Sequence, residues 1–145
     1  MMQESPFVIE GACYRDDRGE LRYNNAFDAS PVKRLYLIQN SESIPVRGWQ
    51  GHRIEQRWFI AVAGAFEINT VKVDDWENPS KDLLAETFKI DQKTLNILYA
   101  PPGYITKIHS LEKGSVLLAM SDYLLGEIKD EYRFSPDYFT ENSSK

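Results

Sequence analysis

The chain has 145 residues, of which 42% are hydrophobic and 27% are charged, with 17 basic against 22 acidic side chains. This length predicts a single domain with enough apolar material for a core, and the acidic balance argues against nucleic-acid partners or a polybasic membrane anchor. No apolar run reaches the roughly 18 residues of a membrane-spanning helix, and the polar start lacks the pattern of a secretory signal. We therefore expect a cytoplasmic protein without a membrane partner. Its single Cys13 allows neither an internal disulfide nor a cysteine-based metal cluster.

Short runs rich in β-branched and aromatic residues, separated by Gly, Pro, Asn and Asp, predict an all-β protein. In chain order the predicted strands cover residues 7–9, 20–23, 32–38, 44–49, 56–63, 66–73, 85–90, 94–100, 104–110 and 115–121. About ten short strands at this spacing favour a barrel or a jelly roll, and small barrels hold one ligand among inward-facing side chains. We expect the domain to cover residues 1–134 and the polar residues 135–145 to form a tail.

Turns and irregularities are predicted at several points between and within these strands. Residues 16–19 form a turn that opens a hairpin. The apolar residues change parity around Asn69 and Thr70, which predicts a bulge there, and residues 83–88 are compatible with a single helical turn. The Pro-Pro-Gly sequence at 101–103 predicts a tight turn in which glycine supplies a positive φ.

The segment 47–57 is the densest polar cluster in the chain. Because residues two apart in a strand share a face, Gln50 and His52 point the same way, and Arg47 points to the opposite face unless the strand is bulged. Such side chains are costly to bury without partners. One interpretation is a polar site at the mouth of a barrel. The alternative is a solvated rim in which three charged side chains pair on the surface: Arg53, Glu55 and Arg57.

Several short motifs, taken together, resemble one family of cupins. They are the Arg-Gly-aromatic strand with its histidine at 47–52, the Pro-x-Gly turn at 101–103, Arg18-Gly19-Glu20-Leu21, Lys33-Arg34-Leu35-Tyr36 and Ser121-Asp122-Tyr123. In this order and spacing they are similar to the dTDP-sugar 3,4-ketoisomerases and the related dTDP-4-dehydrorhamnose 3,5-epimerases, over residues 7–134. The resemblance implies a double-stranded β-helix, the cupin fold, and a homodimer in which N-terminal strands cross between subunits.

The chain departs from the family pattern at residues that carry the chemistry. Where the ketoisomerases have His-x-His, it has Gln50 and His52, and where the epimerases have their second histidine and their catalytic tyrosine it has Thr106 and Leu118. Epimerase chemistry of the known kind is therefore not expected. A cupin metal site needs two or three histidines and a glutamate. Because the only histidines are His52 and His109, we expect neither a metal nor another cofactor.

The resemblance implies 3,4-keto isomerisation or epimerisation of a dTDP-linked 4-keto-6-deoxy sugar in surface-polysaccharide biosynthesis. His52 would move the proton, since imidazole titrates near neutral pH. Gln50 would hydrogen-bond the developing oxyanion or a sugar hydroxyl, and Tyr36 is a candidate for a second proton-transfer group. The alternative for His52 is a core or rim histidine that is bonded to a neighbour.

The nucleotide-sugar ligand needs groups that hold its pyrophosphate, and a planar guanidinium suits this task better than an amine. Arg47 matches the family arginine at this position, and Arg34 is a second candidate. The predicted substrate-binding residues are Arg47, Arg34, Gln56, Tyr104 and Thr106. Two alternatives stay open: each arginine forms a surface ion pair, or the protein is a catalytically inactive module that binds a sugar nucleotide.

Overall fold

The computed structural model describes residues 5–139 and 143–144, which form thirteen strands and no helix. No helix in this part of the chain is therefore long and apolar enough to cross a membrane. In chain order the strands are β1 Phe7–Ile9, β2 Ala12–Asp16, β3 Gly19–Tyr23, β4 Arg34–Ile38, β5 Val46–His52, β6 Arg57–Ala63, β7 Ala65–Lys72, β8 Ala85–Asp91, β9 Ile97–Ala100, β10 Tyr104–Ser110, β11 Val116–Ser121, β12 Tyr132–Arg133 and β13 Ser143–Ser144.

The strands form two large sheets and a separate hairpin. One sheet has the order β1-β9-β6-β11-β4, and the other has the order β12-β5-β10-β7-β8-β13. Strand pairing is antiparallel except between β13 and β8, and β2 pairs only with β3. The predicted all-β jelly roll is confirmed. All ten predicted strands are present with ends shifted by at most three residues, whereas β2, β12 and β13 were not predicted.

The main core lies between the two large sheets. Alternate residues of facing strands build it, because successive side chains in a strand point to opposite faces. The buried cluster consists of Ile38, Phe59, Ala61, Phe66, Ile68, Ile90, Leu98, Ala100, Ile108, Leu117 and Ala119. Every one of these side chains is apolar, so they form a hydrophobic core between the sheets.

The outer face of the six-stranded sheet is also covered, and this corrects the prediction of a bulge in β7. Val71 and Val73 are buried on that face in a cluster with Trp49. β7 pairs in continuous register with both β10 and β8 through Asn69 and Thr70. The predicted bulge is therefore wrong, and the change of apolar parity arises because both faces of β7 are buried.

A bulge occurs instead in β5, where it decides which residues face the interior. Gln50 and Gly48 lie opposite consecutive residues of β10, so Trp49 has no partner in the ladder. Gly48 has a φ of 131°, which glycine adopts far more readily than other residues. The inserted residue reverses the alternation, so Arg47 lies on the same face as Gln50 and His52. This is the bulged case that the sequence left open.

The chain beyond β12 crosses the outer face of the same sheet. The Phe139 ring packs edge-on against Trp49 with 5.2 Å between centroids, and Tyr138 packs against both Phe134 and Phe139. Aromatic contacts thus hold residues 134–139 behind β5. The rest of the predicted tail, apart from the backbone of β13, lies outside the described residues.

The region before β8 differs from its prediction. Residues 83–88 do not form a helical turn, because β8 already begins at Ala85 and pairs along its length with β7. Leu83 instead packs against the outer cluster around Val71 and Val73. The backbone hydrogen bonds between β8 and β7 therefore outweigh the weak helical pattern of this segment.

Candidate active site

A polar cleft lies between β4, at the edge of one sheet, and β5 of the other. Its outer part has a volume of about 710 Å³, and it adjoins a deeper chamber of about 30 Å³. Six residues line both spaces: Tyr36, Ile38, Arg47, Gln50, His52 and Arg57. The outer part has the size of a small-molecule pocket, whereas the chamber has room for about one water-sized group.

The structure brings seven of the eight predicted site residues to this cleft. His52, Gln50, Tyr36 and Arg47 line both spaces, Tyr104 and Thr106 line the chamber, and Arg34 lines the outer part. Gln56 lies elsewhere: its amide nitrogen donates to Asp122 over 2.9 Å, and its amide oxygen accepts from the Tyr99 hydroxyl over 2.6 Å. The roles assigned to these residues stay predictions.

His52 ends β5, with only 6% of its surface exposed. Its Nδ1 is 2.9 Å from the backbone oxygen of Asp130. Because a carbonyl oxygen only accepts, this contact assigns the ring hydrogen to Nδ1 and leaves Nε2 as the acceptor. Nε2 accepts from Nη1 of Arg57. His52 is thus bonded to neighbours, as the core interpretation requires, and it also lines the cleft, as the site interpretation requires.

Arg57 is a site residue that the sequence analysis missed. It begins β6, whose first five residues are all buried, and only 6% of its surface is exposed. Its Nη2 donates to the Tyr36 hydroxyl, whereas its Nε has no hydrogen-bond partner among the described residues. Burial and repulsion from Arg34 lower the pKa of the Arg57 guanidinium to about 10, so it remains a cation at neutral pH. Its position directly before an apolar run was the available signal.

Glu55 supplies the negative charge beside these cations. Its side chain is buried, and its Oε1 accepts from the Ser121 hydroxyl over 2.5 Å. The same oxygen is 3.7 Å from Nη2 of Arg34 and 3.9 Å from Nη1 of Arg57. The second oxygen is 3.6 Å from Nδ1 of His52. One carboxylate therefore serves both arginines and also lies near the imidazole.

Asp130 holds the loop that carries Glu55 between β5 and β6. Its carboxylate accepts three backbone N–H bonds, from Arg53 over 2.9 Å and from Ile54 and Glu55 over 2.8 Å each. Arg53 is exposed, but Glu55 and Arg57 are buried. The solvated rim is therefore wrong for Glu55 and Arg57. No sequence signal pointed to Asp130, because 75–77 residues separate it from these donors.

The potential ligand atoms of His52, Glu55 and Asp130 lie within 4.8 Å of one another, close enough to surround a metal ion. The donor set does not suit a cation, however. The Asp130 carboxylate is committed to three N–H donors, and the guanidinium groups of Arg34 and Arg57 lie 3.7 and 3.9 Å from Glu55. The positive charges of these two guanidinium groups would repel a metal cation bound at this position. Glu55 is instead the anionic partner of the two arginines.

The mouth of the cleft carries the predicted phosphate-binding arginines. Arg47 is exposed and forms no ion pair with any residue in 5–139. Arg34 pairs with the buried Glu55, and only 20% of its side chain is exposed. Neither arginine forms the surface ion pair of the alternative interpretation. Gln50 donates from its amide to Glu131 over 3.1 Å, so this side chain also reaches the mouth.

Comparisons with known proteins agree with this architecture. The model of the family described as WxcM-like, C-terminal (FdtA) matches residues 7–142. A mutant of the 3,4-ketoisomerase QdtA from Thermoanaerobacterium thermosaccharolyticum, solved with TDP-4-keto-6-deoxyglucose, is 19% identical, with a TM-score of 0.69 over 94% of this chain and 93% of that chain. The RmlC epimerase of Mycobacterium tuberculosis is 11% identical, with a TM-score of 0.74 over 98% and 76% of the two chains.

A third structure, the 4-keto-6-deoxy sugar epimerase NovW from Streptomyces spheroides, is 14% identical, with a TM-score of 0.74 over 97% and 78% of the two chains. A comparison with curated proteins finds no match. The shared fold is the RmlC-like cupin fold, as the motifs predicted. Since the family model covers almost the entire chain, the chain belongs to the WxcM-like, C-terminal family.

Proposed function

We propose that this protein isomerises a dTDP-linked 4-keto-6-deoxy sugar in the biosynthesis of surface polysaccharides. The observation that carries the proposal is the convergence of His52, Tyr36 and Arg57 on one small chamber at the base of a larger cleft. The ketoisomerase QdtA, which shares the fold, was solved with TDP-4-keto-6-deoxyglucose, and this supports a keto-sugar nucleotide as the ligand class.

The outer part of the cleft suits the nucleotide portion of such a ligand. Its volume of about 710 Å³ lies within the range of pockets that bury ligands of this size. Arg47, which is free of ion pairs among the described residues, and Arg34 supply guanidinium groups that can make paired hydrogen bonds to phosphate oxygens. The sugar then extends from the pyrophosphate towards the chamber, so that its keto group lies closest to the chamber.

The reaction moves a keto group from C4 to C3 through an enediol. A base removes the C3 proton and a proton returns to C4. His52 fits this task because Nδ1 is held by a backbone carbonyl and Nε2 is the nitrogen with a lone pair. Gln50 cannot exchange protons at neutral pH, so it contributes hydrogen bonds to a sugar oxygen. The Tyr36 hydroxyl, which borders the same chamber, is the second group able to pass a proton.

The test is hydrogen exchange into the substrate. The protein is incubated with dTDP-4-keto-6-deoxyglucose in deuterated water, and C3, C4 and C5 are followed by NMR. We expect deuterium at C3 of the recovered substrate and at C4 of the 3-keto product, with the rate reduced about 10²- to 10⁴-fold in His52→Ala. His109→Ala is the matched control, because His109 lies on β10 outside the residues that line the cleft. Exchange confined to C5 would contradict the ketoisomerase assignment.

A catalytically inactive sugar-nucleotide-binding module is the second candidate. Gln50 takes the place of a histidine in the family pattern, and Nε2 of His52 already accepts a hydrogen bond from Arg57. Both observations favour a pocket that binds without turnover. In that case dTDP binds, Arg47→Met weakens the binding, and no deuterium appears at C3 or C5.

We further propose that the protein forms a homodimer. Leu35 and Leu37 project from the edge strand β4 with 62% and 64% of their surfaces exposed, and the β2–β3 hairpin pairs with no other strand in the part of the chain that the structure describes. Unpaired edges and exposed apolar rows of this kind attract a second chain. Light scattering on the eluted protein should give twice the monomer mass, and Leu37→Asp should shift it towards the monomer. A monomeric wild-type protein would contradict the proposal.

A further inference from the structure

We propose that Arg57 is a catalytic residue that binds the keto oxygen of the sugar and stabilises the negative charge that this oxygen gains during isomerisation. The inference rests on the proposed function and adds the electrophilic group of the reaction. None of the motifs that carry the family resemblance includes Arg57. Its position at the chamber, between the two groups that can move protons, is what singles it out.

The first support is a buried cation with unsatisfied hydrogen-bonding capacity. Both terminal nitrogens of Arg57 donate to neutral groups, the His52 ring and the Tyr36 hydroxyl, and its buried Nε has no partner among the described residues. The Glu55 oxygen at 3.9 Å lies beyond hydrogen-bond reach and already accepts from Ser121. Buried donors are nearly always paired. Each terminal nitrogen carries a second N–H beyond the one it donates in these two bonds, and an incoming oxygen that carries negative charge would accept from one of these.

The second support is the size of the chamber beside the guanidinium. Its volume of about 30 Å³ is close to that of one water molecule. A single keto oxygen fits this space. Phe59, Ala100 and Ile108 form apolar parts of its wall. In such surroundings a fixed positive charge interacts with a developing oxyanion far more strongly than it would in water.

The proposed step conserves protons and electrons. When the C3–H bond breaks, the proton passes to Nε2 of His52, the electron pair forms the C3=C4 bond, and the C4=O π pair moves onto O4. Arg57 donates to O4 in place of Nε2, so the Nε2 lone pair is free to take the C3 proton. The Tyr36 hydroxyl gives a proton to O4 and then takes the proton that O3 loses, and C4 receives the proton carried by His52. The product is the 3-keto isomer.

The experiment combines ligand binding, turnover and an NMR signal from Arg57 itself. The variants are Arg57→Met and Arg57→Lys, with Arg53→Met as the control, because Arg53 is exposed and does not line the cleft. The ligands are dTDP and dTDP-4-keto-6-deoxyglucose. In wild-type protein labelled with ¹⁵N-arginine, the Arg57 Nε–H resonance is assigned by its absence from the Arg57→Lys spectrum.

We expect the keto sugar, but not dTDP, to move the Arg57 Nε–H resonance downfield. Arg57→Met should bind dTDP within about twofold of wild type, lose the extra affinity due to the sugar, and exchange C3 about 10²- to 10³-fold more slowly through kcat, as for the loss of an oxyanion-hole donor. Arg57→Lys should have a sugar-dependent affinity and a C3 exchange rate between those of wild type and Arg57→Met. Arg53→Met should match wild type in every measurement.

The outcomes separate this inference from the proposed function. If wild type exchanges C3 and Arg57→Met keeps its rate within threefold, Arg57 has no catalytic role although the isomerase assignment stands. If the resonance moves with the keto sugar but wild type gives no exchange, the oxygen-binding role stands and the isomerase assignment fails. If the resonance does not move, the inference is overturned. This last measurement uses wild-type protein, so it decides the matter even if Arg57→Met fails to fold.

Discussion

Replacing Asp130 by asparagine should destabilise the protein, although the two side chains have the same shape. Asp130 is only 3% exposed, and its carboxylate accepts the backbone N–H groups of Arg53, Ile54 and Glu55. The Ile54 and Glu55 bonds share one oxygen, Oδ2. The amide keeps the most bonds when its oxygen takes the position of Oδ2, and its NH₂ group then faces the N–H of Arg53. One buried hydrogen bond is lost, and two donors face each other.

The magnitude follows from the cost of unsatisfied buried donors. Each N–H group left without an acceptor costs about 1–3 kcal/mol. One such group therefore predicts a loss of about 1–3 kcal/mol in the free energy of unfolding. For a domain of this length that loss lowers Tm by roughly 3–10 °C. The backbone oxygen of Asp130, which accepts from Nδ1 of His52, is still present in the variant. The lower stability should therefore come from the lost hydrogen bond to the loop and not from a change at His52.

Urea unfolding and calorimetry on wild type and Asp130→Asn measure this difference. Asp28→Asn is the matched control, since Asp28 is exposed and accepts one backbone bond, from Ser30 over 2.9 Å. We expect its Tm to remain within about 2 °C of wild type. A Tm for Asp130→Asn within the same 2 °C would refute the reasoning, because it would mean that the N–H group of Arg53 finds another acceptor at little cost.

Three further predictions concern packing and pH. Gly51→Ala should destabilise by about 1–3 kcal/mol, since a Cβ there would lie 2.4 Å from the Ile105 backbone; an unchanged urea midpoint would contradict this. Trp49→Ala should cost about 3–5 kcal/mol of unfolding free energy, because this buried ring anchors the C-terminal segment; a loss below about 1 kcal/mol in urea would count against that anchoring. Burial, aided by the charge of Asp122, raises the pKa of Tyr99, so the folded state keeps a proton that the unfolded state releases, and stability falls as pH rises above about 10. The slope of Tm against pH from 9.5 to 11 should be smaller in Tyr99→Phe, and equal slopes would contradict the assignment.

The positions of the strands were largely predictable from the sequence because they depend on local patterns. The strand at 104–110 and the turn before it follow from alternation and from Gly103, whose φ is 93°. The pattern failed where burial on both faces hid the alternation, as at Asn69 and Thr70 in β7. It also failed at β5, because neither the bulge nor its place opposite β10 is encoded in the spacing of apolar residues.

Site residues that match a motif were predictable, and those that complete the charge balance were not. The motifs identified His52 and Arg47, which line the cleft. Gln56 was placed in the substrate-binding set because it lies in the same segment, but in the structure its amide is satisfied by neighbours outside the cleft. Arg57 and Glu55 were considered only as surface charges, because a sequence does not state which charged side chains will find partners when buried.

By itself the sequence determined that the chain is rich in β-strands, that its motifs resemble those of cupins, and that one histidine stands close to an arginine. Alternation of side chains and turn residues act over a few neighbours, so they can be read directly from the order of residues. Only the tertiary structure decided that Arg57 joins His52 to Tyr36, that Glu55 balances both arginines, and that Asp130 holds the intervening loop. These contacts depend on strands that meet in space, and their free energy arises from burial and charge pairing, to which distant parts of the chain contribute.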